Sequence, residues 1–145
     1  KDDGLIEMEY GDWSGKKLLA LSRKKMWSEI QARPSLVRFP NGESFLEMQG
    51  RALESVKSLA IPGAEILVCS HGDVIKAIVA GLVGLHLDNF QRLTIDPASI
   101  TVIDLFAESA QIRLMNSTVH LKEPKGLSTG SSKLNLGGGS GTKSK

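Results

Sequence analysis

Residues 64–84 (AEILVCSHGDVIKAIVAGLVG) constrain the fold more than any other stretch. Ile66, Leu67, Val68 and Cys69 form a continuous apolar run with no polar alternation. That pattern fits a strand covered on both faces, as in a parallel sheet. Ser70-His71-Gly72 interrupts the run, and residues 73–83 are then apolar except for Asp73 and Lys76. A helix that is apolar nearly all round belongs in a core. Asp73 near its start suits the positive end of the helix dipole, and Gly84 is a natural stop. In open α/β sheets, ligands bind outside the carboxyl ends of the strands. His71 has that address, and the amides that follow it at the helix start form a ready anion site.

The flanking sequence supplies the other layers. Ser44-Phe45-Leu46-Glu47 has the capping-box pattern. Leu46, Leu53, Val56 and Ala60, with Phe45 and Leu59, are expected to form the apolar face of the helix that follows. Pro62-Gly63 should end it, and Asn41-Gly42 before it reads as a turn. Residues 16–31 are helical in pattern, as one helix or two, closed by Pro34. Residues 99–106 and 111–115 read as strands, close enough for a hairpin. The order helix, strand, helix, strand, strand predicts an α/β three-layer sandwich, with a mostly parallel sheet flanked by helices and an antiparallel edge.

Composition excludes several classes. The 145 residues suffice for one domain with a tail. No stretch is apolar enough to span a membrane, and the acidic start KDDGLIEMEY lacks a signal-peptide layout. A single cysteine, Cys69, excludes an internal disulfide. These features predict a cytoplasmic protein. The net charge of +2 is unevenly spread: residues 122–145 hold five lysines and one glutamate, which leaves residues 1–121 at −2. The basic segment is Gly/Ser-rich and is expected to be a disordered tail. It lacks aromatics, so no nucleic-acid partner is expected.

Chemistry has two candidate addresses. Of the three histidines, His86 reads as a packed, hydrogen-bonded residue and His120 as solvated, whereas His71 sits at the strand–helix junction. The second address is residues 5–15, LIEMEYGDWSG, where acidic and apolar residues alternate before two glycines bracket a tryptophan. One reading is an edge strand and turn. The other is a loop holding a carboxyl in a partly desolvated pocket, where burial raises its pKa toward that of a general acid. Spacing alone does not choose among Glu7, Glu9 and Asp12.

Four motifs in order resemble the histidine phosphatase superfamily, the phosphoglycerate-mutase-like group. They are Leu5-x-Glu7-x-x-Tyr10-Gly11-x-Trp13-x-Gly15; Pro40-x-Gly42-Glu43-Ser44; Arg51; and Val68-x-Ser70-His71-Gly72-Asp73. The run SHGDVIKA at 70–77, with Phe90-Gln91-Arg92 and Asp96-Pro97-Ala98-Ser99, is most similar to an actinobacterial phosphomutase branch. The resemblance implies phosphoryl transfer through a phosphohistidine, on a small phosphorylated metabolite, with no metal or other cofactor. It implies that Glu7 is the proton donor and His71 the second, phosphate-contacting histidine. It places Tyr10 in the substrate pocket, and Gly72 and Asp73 where main chain approaches the phosphate. Glu43, Ser44 and Arg51 are read as structural.

The sequence also departs from the family pattern. The nucleophile of the family lies in an Arg-His-Gly motif on the first strand, and no Arg-His-Gly occurs here. Residues 1–121 are therefore expected to be an incomplete, N-terminally truncated histidine phosphatase-like domain. The strand at 65–70 should expose unpaired backbone and apolar surface, with self-association through that open edge. The alternative is a non-catalytic phosphate-ligand module or an inactive fragment on the same fold.

Overall fold

The computed structural model describes residues 1–121; the segment 122–145, expected to be a disordered tail, lies outside the described residues. Local signals in the sequence set most of the helices. The helix expected from the capping box starts at Phe45, with Ser44 Oγ accepting from the Glu47 amide (3.2 Å) and the Glu47 carboxylate accepting from the Ser44 amide (2.8 Å). Residues 16–31 form two helices, α1 (Leu18–Leu21) and α2 (Lys25–Ala32). The Ser22 hydroxyl donates to the Leu19 carbonyl (3.0 Å) where the first one ends. Next come α3 (Phe45–Leu59) and α4 (Gly72–Leu82).

The buried face of α3 is Phe45, Met48 and Ala52, with Val56 half-buried below them. Leu46, expected on that face, points to solvent. The i, i+3, i+7 stripe starts at Phe45, so the neighbouring position is rotated out. This stripe packs against α4, where Val74, Ala77, Ile78, Val79 and Ala80 are buried. Aromatic rings carry the core toward the N-terminal loop. Phe39 meets Tyr10, Trp13 and Phe45 with centroids 5.2, 5.3 and 5.7 Å apart, and Phe45 meets Phe90 at 5.4 Å. The edge-on approaches of Tyr10 and Trp13 to Phe39 are geometries that aromatic quadrupoles favour.

The expected mostly parallel sheet is not formed among the described residues. The sheet present is the antiparallel hairpin β1 (Ile100–Leu105) and β2 (Ala110–Ser117), which pairs Ile103 with Ile112 and Leu105 with Ala110. Residues 65–70 run without regular secondary structure, and among the described residues their main-chain groups make no backbone–backbone hydrogen bond. Leu67 is 94% exposed and Ile66 is also exposed, while Val68 packs on the core. The physical reason is that ladder bonds need a neighbouring strand, and neither β1 nor β2 lies beside this segment as a ladder partner. The hairpin is also apolar and open: Ile100, Val102, Leu105, Ile112 and Leu114 are all exposed.

Candidate active site

The acidic loop is held by one arginine. Arg51, on α3, uses all five of its N–H donors. Nη1 donates to the carbonyls of Gly4 (2.8 Å) and Ile6 (3.1 Å). Nη2 donates to the Glu7 carbonyl (3.2 Å) and to Glu43 Oε1 (2.6 Å), and Nε donates to Glu43 Oε2 (3.0 Å). Glu43 closes the circuit, because its Oε1 also accepts from the Glu9 amide (2.8 Å), and its own amide donates to the Glu9 carbonyl (3.0 Å). Gly11 has φ +51°, and a Cβ there would fall 2.2 Å from the Pro40 carbonyl oxygen. Only glycine lets the loop lie this close to the 39–43 turn. The outcome is an irregular loop between single 3-10 turns at Asp3–Leu5 and Gly11–Trp13, not an edge strand.

This anchoring aims Glu7 at His71. Glu7 Oε2 lies 3.6 Å from His71 Nδ1, and Glu7 Oε1 accepts from the Met8 amide (2.9 Å). The approach joins residues 64 positions apart, and the neighbouring Ser70 hydroxyl donates to the Leu5 carbonyl (2.7 Å). Burial pushes the Glu7 carboxyl above the ordinary glutamate range. The Met8 hydrogen bond and His71 pull the other way, while the Asp73 charge adds to the rise. Glu9 is exposed, and Asp12 is exposed and accepts from the Asn41 side-chain amide (3.2 Å). Of the three carboxyls left open by spacing, Glu7 is the one that pairs with His71.

His71 is the residue before α4, and its side chain does not cap the helix. The first-turn amides at Gly72 and Asp73 therefore have no side-chain cap from that residue and stand beside the Glu7–His71 pair, where the helix dipole favours an anion. Gly72 is half-buried. Glu7 and Tyr10 also line a cleft of about 230 Å³, together with Trp13, Ser14, Lys16 and Leu18. The Tyr10 hydroxyl is buried and interacts with the Asp73 carboxylate. Burial, then the charges of Asp73 and Glu7, raise the Tyr10 pKa far above its usual value, so it stays a neutral phenol.

Two other features differ from the sequence expectation. His86 is exposed rather than packed, and its Nδ1 accepts from the Asp88 amide (3.2 Å) to cap the turn Leu87–Arg92. His120 is exposed, as expected. Lys76 was not singled out by sequence, yet it is 6% exposed, beside a fully buried Asp73. The available signal was two charges three positions apart in an otherwise apolar helix. Among the described residues, no group of three or more His, Cys, Asp or Glu side chains could hold a metal ion.

Comparison with known proteins gives this geometry a family. The sequence profile of the histidine phosphatase superfamily (branch 1) matches residues 1–118. The chain is 30% identical over 131 residues to phosphoserine phosphatase 1 of Hydrogenobacter thermophilus, an alignment spanning 85% of this chain and 60% of that protein. It is 32% identical over 100 residues to the phosphoglycerate mutase of Schizosaccharomyces pombe, covering 63% of this chain and 46% of the relative. Among solved structures, a mycobacterial glucosyl-3-phosphoglycerate phosphatase in complex with inorganic phosphate superposes with a TM-score of 0.68 at 23% identity. That match covers 83% of this chain and 66% of the other. The alpha-ribazole phosphatase of Shigella flexneri superposes with a TM-score of 0.66 at 24% identity, covering 79% and 59%. The chain thus spans about 60% of the length of the phosphoserine phosphatase it matches. With the profile match running through both the Glu7 loop and the His71 junction, the chain belongs to the histidine phosphatase superfamily.

Proposed function

We propose that the chain carries the proton-donor and phosphate-contacting part of a phosphoryl-transfer site, acting on a small phosphate monoester as a phosphatase or phosphomutase. The observation that carries this reading is the 3.6 Å approach of Glu7 to His71 at the first turn of α4. In this reading Glu7, whose carboxyl is shifted by burial toward holding its proton, delivers that proton to the leaving oxygen as the ester bond breaks. It then takes a proton from the water or hydroxyl that attacks the phosphohistidine. His71 and the amides of Gly72 and Asp73 hold the equatorial oxygens of the transferring group, where most of the charge to be stabilised develops. Tyr10 forms part of the wall of the cleft that takes the substrate.

The attacking histidine belongs, in this reading, to an Arg-His-Gly segment that the 145 residues do not contain. That segment would run beside residues 65–70, complete the parallel sheet and cover Ile66 and Leu67. Left open, the same edge favours self-association of the chain.

Hydrolysis of para-nitrophenyl phosphate tests the reading. The chain alone is expected to be inactive. Co-expression with an Arg-His-Gly strand segment from a full-length family member should give turnover that is lost in Glu7→Gln and His71→Ala. Turnover unaffected by either substitution would overturn the assignment. Phosphate binding with no turnover in either preparation would select the non-catalytic ligand module instead.

A further inference from the structure

The cleft beside Glu7 has walls that a bare phosphoryl group would not need. Trp13, Leu18 and Leu21 make them largely apolar, with Tyr10 alongside. Among the described residues that line the cleft, Glu7 is the one acid and Lys16 the one base. Apolar walls with a few polar groups that fix orientation are the make-up of a small-molecule pocket. The volume of about 230 Å³ equals that of roughly eight waters of the liquid, which is room for a small organic group.

Local structure fixes where Lys16 enters. Gly15, at φ +71°, folds the chain back after the turn Gly11–Trp13, and the Lys16 amide donates to the Trp13 carbonyl (3.2 Å). Lys16 also opens a run of one sign. Residues 14–28 contain Lys16, Lys17, Arg23, Lys24 and Lys25 and no Asp or Glu, which leaves the rest of residues 1–121 at −7. All five cations are exposed, and among the described residues none of them forms an ion pair. Lys24 is turned toward the Trp13 ring, with Nζ 5.9 Å from its centroid. Positive charge is thus gathered at the cleft, in a molecule that is acidic elsewhere.

We propose that Lys16 is a specificity-determining residue, and that the substrate is a phosphate monoester whose alcohol part carries a second anionic group, a carboxylate or a further phosphate. The inference rests on the reading of Glu7 as the proton donor. A proton donor lies within hydrogen-bond reach of the leaving oxygen. With the phosphoryl group toward His71 and the start of α4, the alcohol part extends from Glu7 into the cleft. Its body lies against Trp13, Leu18 and Leu21, and its second anion meets the Lys16 ammonium, which the flexible four-carbon stem lets reach it. The apolar walls strengthen that pairing by lowering the local dielectric. Lys17, Arg23, Lys24 and Lys25 supply the field that draws a doubly anionic ester in.

The test is binding of small probes to the chain as it stands, followed by amide chemical shifts. The compound para-carboxyphenyl phosphate carries the second anion, and para-carbamoylphenyl phosphate has nearly the same shape without that charge. The carboxylate probe should bind about fivefold more tightly at low salt, the upper end for one exposed ion pair, and the advantage should shrink at high salt. Lys16→Gln should bring the two affinities together. Lys57→Gln, which removes an exposed charge from α3, should keep them apart. A third probe, para-phenylene bisphosphate, tells the two anions apart: binding tighter than the carboxylate probe and dependent on Lys16 assigns a second phosphate, and weaker binding assigns a carboxylate. Equal affinities of the carboxylate and carbamoyl probes in the wild type, or a difference that survives Lys16→Gln, would overturn the proposal. With the Gly72 and Asp73 amides shifted by both probes, that result would leave the assignment of Glu7 and His71 intact. Probes that move no amide at the start of α4 would remove both readings.

Discussion

Two parts of the molecule handle backbone polarity in opposite ways. The Glu7 loop has almost no regular structure, yet Arg51 satisfies three of its carbonyls, and Glu43 takes the Glu9 amide and donates to its carbonyl. The 65–70 segment has strand-forming sequence, yet its main chain makes no backbone pairing among the described residues, and Leu67 is nearly fully exposed. An irregular loop can be rigid when one side chain supplies its hydrogen bonds. A strand sequence stays open when the bonds must come from a neighbour that is not alongside. Ser70 joins the two regions through the Leu5 carbonyl, and His71 sits where they meet.

This contrast predicts a steep gradient of mutational sensitivity. Phe45 is fully buried between Phe39 and Phe90. Truncation by Phe45→Ala should cost about 4 kcal/mol of unfolding free energy, measured by urea denaturation. Arg51→Ala should cost about 3 kcal/mol, because it takes the charge partner from a mostly buried Glu43 carboxylate and the donor from three carbonyls. Leu67→Ala should change stability by less than about 0.5 kcal/mol. Leu67→Lys should in addition reduce self-association in sedimentation, if the open edge is the contact. A large loss of stability in Leu67→Ala would mean that the segment is packed in solution, and the contrast between the two regions would fail.

Smaller effects come from two glutamates shifted in opposite directions. The Arg38 ion pair and the Ser44 hydrogen bonds pull Glu47 down to about 2 from 4.5. Its contribution is present above 4.5 and is lost as pH falls through about 2. Glu7 is raised above 4.5, so the folded chain binds that proton more tightly than the unfolded one. Its contribution is full below 4.5 and fades as pH rises through the raised folded value. Glu7→Gln should therefore gain stability relative to the wild type as pH increases past 4.5, in thermal melts across a pH series. A wild-type advantage at neutral pH would show that ionised Glu7 is stabilised rather than strained.

Much of this was legible in the sequence, because much of it is local. The Ser44–Glu47 capping box, the apolar α4 and the 100–117 hairpin each depend on residues a few positions apart, and each formed. The choice of Glu7 over Glu9 and Asp12 could not be made from spacing, since it depends on Arg51 and on a glycine allowing loop and turn to touch. The parallel sheet is not formed among the described residues for the same physical reason: apolar pattern gives strand propensity, but pairing is a property of two segments. The buried Asp73–Lys76 pair was written into α4, but charges in an apolar helix do not reveal which way they point.

Chemical-shift mapping of the chain with inorganic phosphate probes the proposed site without requiring turnover. The amides of Gly72 and Asp73 and the ring of His71 should shift together along one saturable curve, and His71→Ala should weaken it at least about tenfold, roughly the loss of one charge-assisted hydrogen bond. Shifts confined to the lysines of residues 16–25, with Gly72, Asp73 and His71 unmoved at saturation, would contradict a phosphate site at the start of α4.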